Sequence, residues 1–117
     1  MQLTKPMLRA VYSMLRSLPP FNRWRLPEAH EIKFEIISRK HRVYADYEFF
    51  AEDHLLRVSR HTDTLPLLVE KMAHEICHIH QDRHGPAKTD HTKGHGPDFH
   101  RIADTVCRHL GFDRRAF

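Results

Sequence analysis

Two histidines and a glutamate in the pattern HExxH are the residues of this chain with the clearest chemical potential. His74, Glu75 and His78 fall within one predicted helix. Histidines at positions i and i+4 are about 40° apart around a helix and one turn along it, so both imidazoles can reach one metal ion. Glu75 is about 80° from their midline, beside the metal, where its carboxylate can take a proton from a water that the metal holds. The pattern predicts a Zn²⁺ site with His74 and His78 as ligands and Glu75 as the catalytic acid/base.

The apolar face of the same helix argues against a coincidental motif. The chain has 12 histidines among 117 residues, so about 0.07 accidental HExxH matches are expected. The centre of the apolar face is about 150° from the midline of the two histidines. That face is formed by Leu65, Leu68, Val69, Met72, Ile76 and Ile79. We therefore predict that one face packs on a core while the opposite face presents the ligands; the alternative is a solvent-exposed pair of histidines.

A catalytic zinc site also requires a third protein ligand and an open position for water. Four histidines follow the motif, namely His80, His84, His91 and His95. His80 is on the same helix and points about 140° away from the ligand midline. His84 produces HExxHxxxxxH, the spacing of the metzincins, but those proteins have a helix-breaking glycine where this chain has Gln81. His91 is in a polar loop without special context.

His95 is the third ligand that the local chain favours. It lies between Gly94 and Gly96, directly before Pro97 opens the next predicted helix. Such a joint can hold a side chain against a metal with little strain, because glycine adopts conformations that other residues avoid. We predict His95 as the third ligand, with His84 as the alternative.

Three predicted helices position these residues. Thr4 can cap a first helix that ends near Leu18. The motif helix is predicted over 65–82. A third helix follows over 97–110, with Gly111 at the place of a C-terminal glycine stop.

Three segments of alternating or apolar character predict strands over 31–37, 43–50 and 55–59. Their short links favour an antiparallel meander, with turn types that stay open. A polar loop rich in Gly and His spans 83–96. The element order is therefore α-βββ-α-α, and we expect an α+β fold over 1–117, a single zincin-like domain whose three-stranded antiparallel sheet packs on the HExxH helix.

Composition supports an ordinary globular protein. Hydrophobic residues make up 40% and charged residues 29% of the chain, a balance that excludes disorder along its whole length. No stretch approaches the roughly 20 apolar residues of a membrane helix, and the N-terminal residues do not form a secretion signal. Cys77 and Cys107 cannot build a disulfide framework, so we expect two buried free thiols and a cytoplasmic location.

Positive charge is concentrated at the start of the chain. The formal net charge is +4, and residues 1–27 contain five basic residues and no acidic one. These are Lys5, Arg9, Arg16, Arg23 and Arg25. Such a patch can contact nucleic acid or another polyanion, although a solvated helix face explains the same charges.

The motif and its downstream segment resemble a known family. HEICH, a spacer and then Gly94–Phe99 (GHGPDF) look like the SprT-like zincin metallopeptidases, in which an HGxxF-type segment follows HExxH and supplies the third histidine. The resemblance covers about residues 55–112 by motif. It implies that Zn²⁺ is bound by three histidines beside a catalytic acid/base, here His74, His78, His95 and Glu75. It also raises DNA-associated proteins as substrates.

Two functions from different classes follow. The first is a zinc-dependent endopeptidase that acts on a protein or peptide, with the substrate extended along an edge strand; Leu55–Ser59 is the predicted edge. The second is a catalytically silent zincin-fold module that binds nucleic acid or a protein assembly through the basic N-terminal face. Glu75 favours the peptidase, because a purely structural zinc site does not need a carboxylate beside an open metal position.

Overall fold

Three helices and a three-stranded sheet form an α+β fold in a computed structural model that describes residues 1–38, 44–84 and 95–117. Within those ranges, the side chains of Phe50, Arg83 and His84 are not described. The elements in chain order are α1 (Lys5–Arg16), β1 (Ile32–Ile37), β2 (Ala45–Phe50), β3 (Asp53–Ser59), α2 (Leu65–His84) and α3 (Pro97–Leu110). Two short 3-10 helices, Phe21–Arg23 and Ala29–Glu31, lie between α1 and β1.

Local capping explains where the helices begin and end. The Thr4 hydroxyl accepts a hydrogen bond from the Met7 N–H at 3.3 Å, and α1 then ends at Arg16, two residues before the predicted limit at Leu18. Helix α3 ends as predicted, because Gly111 adopts a left-handed conformation with φ +79° and donates its N–H to the Cys107 carbonyl oxygen at 2.8 Å.

The strand order differs from the predicted antiparallel meander, which is wrong. The sheet is mixed and has the order β1-β3-β2, with β1 parallel and β2 antiparallel to β3. Leu56 and Val58 of β3 are 0% and 1% exposed, so the strand with the most deeply buried side chains occupies the centre. Strands β1 and β2 alternate apolar residues with charged ones, which edge positions tolerate. Their links carry no turn signal that specifies this order.

The core lies between the sheet and the helices, and α2 contacts β2, α1 and α3. Helix α1 contributes Leu8, Tyr12 and Leu15 to it, each no more than 1% exposed. Of the predicted apolar face of α2, the buried members are Leu68, Met72, Ile76 and Ile79, and Val69 is partly buried. Leu65 is 55% exposed, so the prediction is wrong at this residue, which is the first of the helix and precedes the packed face.

Two further expectations concern the whole chain. Cys77 and Cys107 are both described, and both are buried thiols without a disulfide. None of the described helices is both long and apolar enough to cross a membrane.

Candidate metal centre

Three histidines come together beside the middle of α2. One ring nitrogen from each of His74, His78 and His95 lies within 4.8 Å of the others, and the Nε2 atoms of His78 and His95 are 2.9 Å apart. We call these residues the histidine cluster. Two imidazole nitrogens on one tetrahedral Zn²⁺, each ~2.0–2.1 Å from the metal, are roughly 3.3 Å apart. The spacing in the cluster brackets this value, so small side-chain adjustments would fit a zinc ion.

The helices α2 and α3 bring the cluster together. His74 and His78 are one turn apart on α2, with ring centroids separated by 5.1 Å. His95 precedes α3, which packs on α2, and Gly96 and Pro97 form the start of that helix. Gly96 is buried and has φ −79°, so the predicted need for an unusual glycine conformation does not apply there. Gly94 lies outside the described residues.

Phe99 provides an apolar surface beneath the histidine cluster. Its ring stacks on His78 and on His95, with centroid distances of 4.5 Å and 4.6 Å, and it contacts His74 at 4.9 Å. The Phe99 side chain is 2% exposed. Phe99 belongs to the GHGPDF segment of the sequence, but its contact with all three histidines depends on how α3 packs against α2.

An oxygen atom lies close to the Nδ1 atom of each of the two α2 histidines. His74 Nδ1 is 3.2 Å from the main-chain oxygen of Phe117, and His78 Nδ1 is 3.4 Å from Gln81 Oε1. Since the Phe117 oxygen can only accept, Nδ1 of His74 carries the proton and its Nε2 carries the lone pair that a metal requires. Burial and the nearby His78 and His95 lower the pKa of His74 to about 3, so its ring is neutral at physiological pH. Neutral imidazole is the form that binds a metal.

Neither of these partners follows from the motif. Gln81 was interpreted as a residue that continues the helix, but position i+3 from His78 also places it on the same face. Phe117 is 43 residues from His74 in the chain, and no local pattern connects them.

Glu75 lies in a cleft beside the histidine cluster. The cleft has a volume of about 220 Å³ and is lined by Tyr44, Ala45, Lys71, His74, Glu75, His95 and Phe117. The Glu75 side chain is buried, with 5% of the residue exposed. The pKa of Glu75 is raised to about 8, mainly by burial and also by the charge of Asp46, while the charge of Lys71 lowers it. A cation bound at the cluster would favour the carboxylate form, because opposite charge stabilises it.

The other candidate ligands do not join the described cluster. His80 points elsewhere and stacks on Trp24, with ring centroids 4.0 Å apart and planes 9° from parallel. Helix α2 continues without a break through Gln81 to His84, so the backbone lacks the turn that a metzincin-like third ligand requires. The side chain of His84 and the whole of His91 lie outside the described residues.

The edge strand next to the cleft is β2, which corrects the prediction for Leu55–Ser59. That segment belongs to β3, the central strand, whose backbone pairs with β1 on one side and with β2 on the other. A substrate strand therefore cannot add to it. Ala45, the first residue of β2, lines the cleft, so this end of β2 faces the candidate site.

The basic residues of the N-terminal region divide into two groups. Arg16 is partly buried and donates from Nε and Nη2 to the Leu26 carbonyl oxygen at 3.4 Å and 3.3 Å, which is a structural contact. The others have exposed side chains, namely Lys5, Arg9, Arg23 and Arg25. Contact of these residues with nucleic acid stays a prediction.

No protein-family model, curated protein or solved structure matches this chain. The resemblance to the SprT-like zincins thus stays a prediction that rests on HEICH and GHGPDF.

Proposed function

We propose that this protein is a zinc-dependent endopeptidase of the zincin type. The observation that supports this most is the convergence of His74, His78 and His95 next to the buried carboxyl of Glu75, at the wall of a cleft. A bound Zn²⁺ would supply Lewis-acid chemistry there, polarising the scissile carbonyl and making water a stronger nucleophile. Three histidines leave one tetrahedral position open, which is the arrangement of catalytic sites.

Glu75 is the general base and then the general acid in this proposal. Its carboxylate takes a proton from the attacking water and delivers it to the nitrogen of the leaving amine. The surroundings of Glu75 suit both roles, because burial shifts its pKa towards neutral pH and a nearby cation shifts it back. The low exposure of Glu75 also keeps bulk water from competing for that proton.

The substrate is a protein or peptide in extended conformation. Among the described strands, β2 pairs only with β3, so its other edge presents main-chain groups to which a peptide can add as a further strand. Ala45 at the start of β2 lies in the cleft, and Tyr44, 38% exposed, is at its rim. A peptide on this edge would pass beside Glu75 and the histidine cluster. DNA-associated proteins are a subset of such substrates that the exposed basic residues would favour.

The test compares wild type with Glu75→Gln after zinc reconstitution of protein purified without a His-tag. We expect about one Zn²⁺ per chain in both, because Gln is nearly isosteric and Glu75 is not a ligand in the proposal. Cleavage of an unfolded protein, assayed with and without DNA, should fall on the order of 10²-fold or more in Glu75→Gln, the scale of general acid–base catalysis. Glu35→Gln, on the opposite edge strand β1, is the matched control and should cleave like wild type.

The contrary outcomes are distinct. Less than about a tenth of an equivalent of zinc in the wild type would contradict the metal site. Equal cleavage by wild type and Glu75→Gln would show that Glu75 is not the base. A wild type that holds zinc and cleaves nothing would instead favour the binding module, with the exposed Lys5, Arg9, Arg23 and Arg25 as its contact face.

A further inference from the structure

The last six residues of the chain, 112–117, reach back from α3 to the candidate metal site, and we call them the tail. Gly111 reverses the chain after α3 with φ +79°. A turn then forms, in which Asp113 accepts main-chain hydrogen bonds from Ala116 and Phe117 at 3.0 Å and 3.1 Å. The rings of Phe112 and Phe117 stack with centroids 5.6 Å apart and pack against the core. The tail is therefore a folded segment with its own internal contacts.

Helix α2 binds the tail at two points on one face. Lys71 Nζ donates to the Ala116 carbonyl oxygen at 2.6 Å, and His74 Nδ1 is 3.2 Å from the main-chain oxygen of Phe117. Lys71 and His74 are three residues apart, which places them on the same side of the helix. The Phe117 ring also lies against the His74 ring, with centroids 5.3 Å apart. The end of the tail thus contacts His74 through both a polar and an apolar group.

Helix α3 holds the tail from the other side. Arg114 Nε donates to Asp104 Oδ1 at 2.7 Å, and its Nη2 is 2.6 Å from His100 Nδ1. The tail is consequently fixed both to α2, which carries His74 and His78, and to α3, which begins after His95.

A main-chain oxygen on Nδ1 has a definite chemical consequence for His74. The oxygen can only accept a hydrogen bond, so Nδ1 must carry the proton and Nε2 the lone pair. Without this partner, a neutral imidazole divides between its two tautomers and rotates more freely. Partners of this kind set the tautomer and direction of metal-binding histidines, and their loss commonly weakens metal binding by 10- to 100-fold.

We propose that the tail is a positioning element for the candidate metal site: the main-chain oxygen of Phe117 sets the tautomer and ring direction of His74, and Lys71 holds that oxygen in place through Ala116. The effect on zinc affinity rests on the proposed function. The effect on the tautomer does not, because it concerns the metal-free protein.

Four variants distinguish the effect of the Phe117 main-chain oxygen from those of the Phe117 ring and of the Lys71 amine, which we call the anchor. A chain that ends at Ala116 removes both the oxygen and the ring of Phe117, whereas Phe117→Ala removes the ring alone. Lys71→Ala removes the anchor, and Lys71→Arg replaces it with another donor. Lys33→Ala, an exposed lysine on β1, is the control for loss of a surface charge.

The first measurement is the tautomer of His74 in the metal-free protein, read from long-range ¹H–¹⁵N correlations at about pH 8, where histidines are neutral. The second is the zinc dissociation constant from competition with a chelator. Wild type, Phe117→Ala, Lys71→Arg and Lys33→Ala should show a single Nδ1–H tautomer and similar zinc affinity. The chain ending at Ala116 and Lys71→Ala should show mixed tautomers and bind zinc about 10- to 100-fold more weakly.

Three outcomes would overturn the proposal. The first is an unchanged His74 tautomer and zinc affinity in the chain that ends at Ala116. The second is that Phe117→Ala loses the single tautomer and the zinc affinity to the same extent as that shortened chain. The third is that Lys71→Arg loses them as Lys71→Ala does. If the shortened chain does not fold, the two Lys71 variants decide. A wild type that binds no zinc would contradict the proposed function, while the tautomer measurement would still decide the role of the tail.

Discussion

Phe99 is the side chain that links the three histidines of the cluster. Its ring centroid lies within 5 Å of the centroid of each imidazole and its side chain is almost fully buried, so it supports all three rings. A planar ring suits this role, because stacked aromatic rings restrain one another's tilt. At the scale of single residues, ligand geometry therefore depends on a residue that binds no metal.

We predict that Phe99→Leu weakens zinc binding more than it weakens the fold. Leucine keeps most of the apolar volume, so the free energy of unfolding of the metal-free protein should fall by about 1.5 kcal/mol or less. Zinc affinity should fall on the order of tenfold, because the imidazoles lose their flat support. Chelator competition and urea unfolding measure the two quantities.

The matched control is Phe34→Leu, in a phenylalanine that is 3% exposed on β1 and packs on Tyr12. It should lose similar stability and keep wild-type zinc affinity. If both variants bind zinc equally well, Phe99 is an ordinary core residue.

The β2–β3 hairpin is the element that places the edge strand beside the cleft. Its strands are joined by Ala51 and Glu52, which have φ values of 51° and 66°. A two-residue turn with two positive φ values matches the twist of the strands, but it prefers Asn-Gly and is strained with other residues. The absence of the preferred residues is why the turn type could not be predicted from the sequence.

We predict that the double substitution Ala51→Asn/Glu52→Gly stabilises the protein by about 1 kcal/mol, since left-handed conformations cost non-glycine residues about that much. Urea unfolding measures the change, and zinc affinity should stay the same because the turn is at the end of β2 away from Ala45.

Gly111→Ala should have the opposite effect, a loss of about 1 kcal/mol. A Cβ at Gly111 would have no atom within 4 Å, so the left-handed backbone conformation alone determines whether Gly111→Ala raises or lowers the free energy of unfolding. Equal stability in all three proteins would contradict this reasoning.

At the scale of the whole molecule, the candidate metal site joins two helices that already share a core. His74 and His78 belong to α2 and His95 precedes α3, whereas the buried core is formed by all three helices and the sheet. We expect a core of this kind to form without a metal, in contrast to the smallest zinc domains. Zinc should therefore add stability to a protein that is already folded.

We predict that zinc at 100 times its dissociation constant raises the free energy of unfolding by about 2.7 kcal/mol, because it binds the folded state. Thermal denaturation with zinc, and again after removal of zinc by a chelator, measures the difference. His95→Ala should lose this increment and His84→Ala should keep it. The reverse result would favour the metzincin-like ligand set, and a metal-free protein without a cooperative transition would show that the core is insufficient.

Local sequence determined the features that depend only on contacts between residues close together in the chain, such as helix ends and helix faces. Thr4 and Gly111 mark helix ends through hydrogen bonds that span three or four residues, and the spacing of His74 and His78 places them on one helix face. The apolar face of α2 follows from the same periodicity, except at Leu65. Zinc and peptidase activity remain predictions from these patterns.

Only the tertiary structure decided which distant segments meet. Alternation of apolar residues indicates that β1, β2 and β3 exist, but any of several strand orders would bury the same faces. In the folded protein β3, the strand with the most deeply buried side chains, occupies the centre of the sheet. Strand β2 is therefore the edge strand beside the cleft. The main-chain oxygen of Phe117 reaches His74 only because α3 packs on α2 and Gly111 then reverses the chain. A main-chain oxygen is present at every residue, so its role depends on where packing places it and not on which residue carries it.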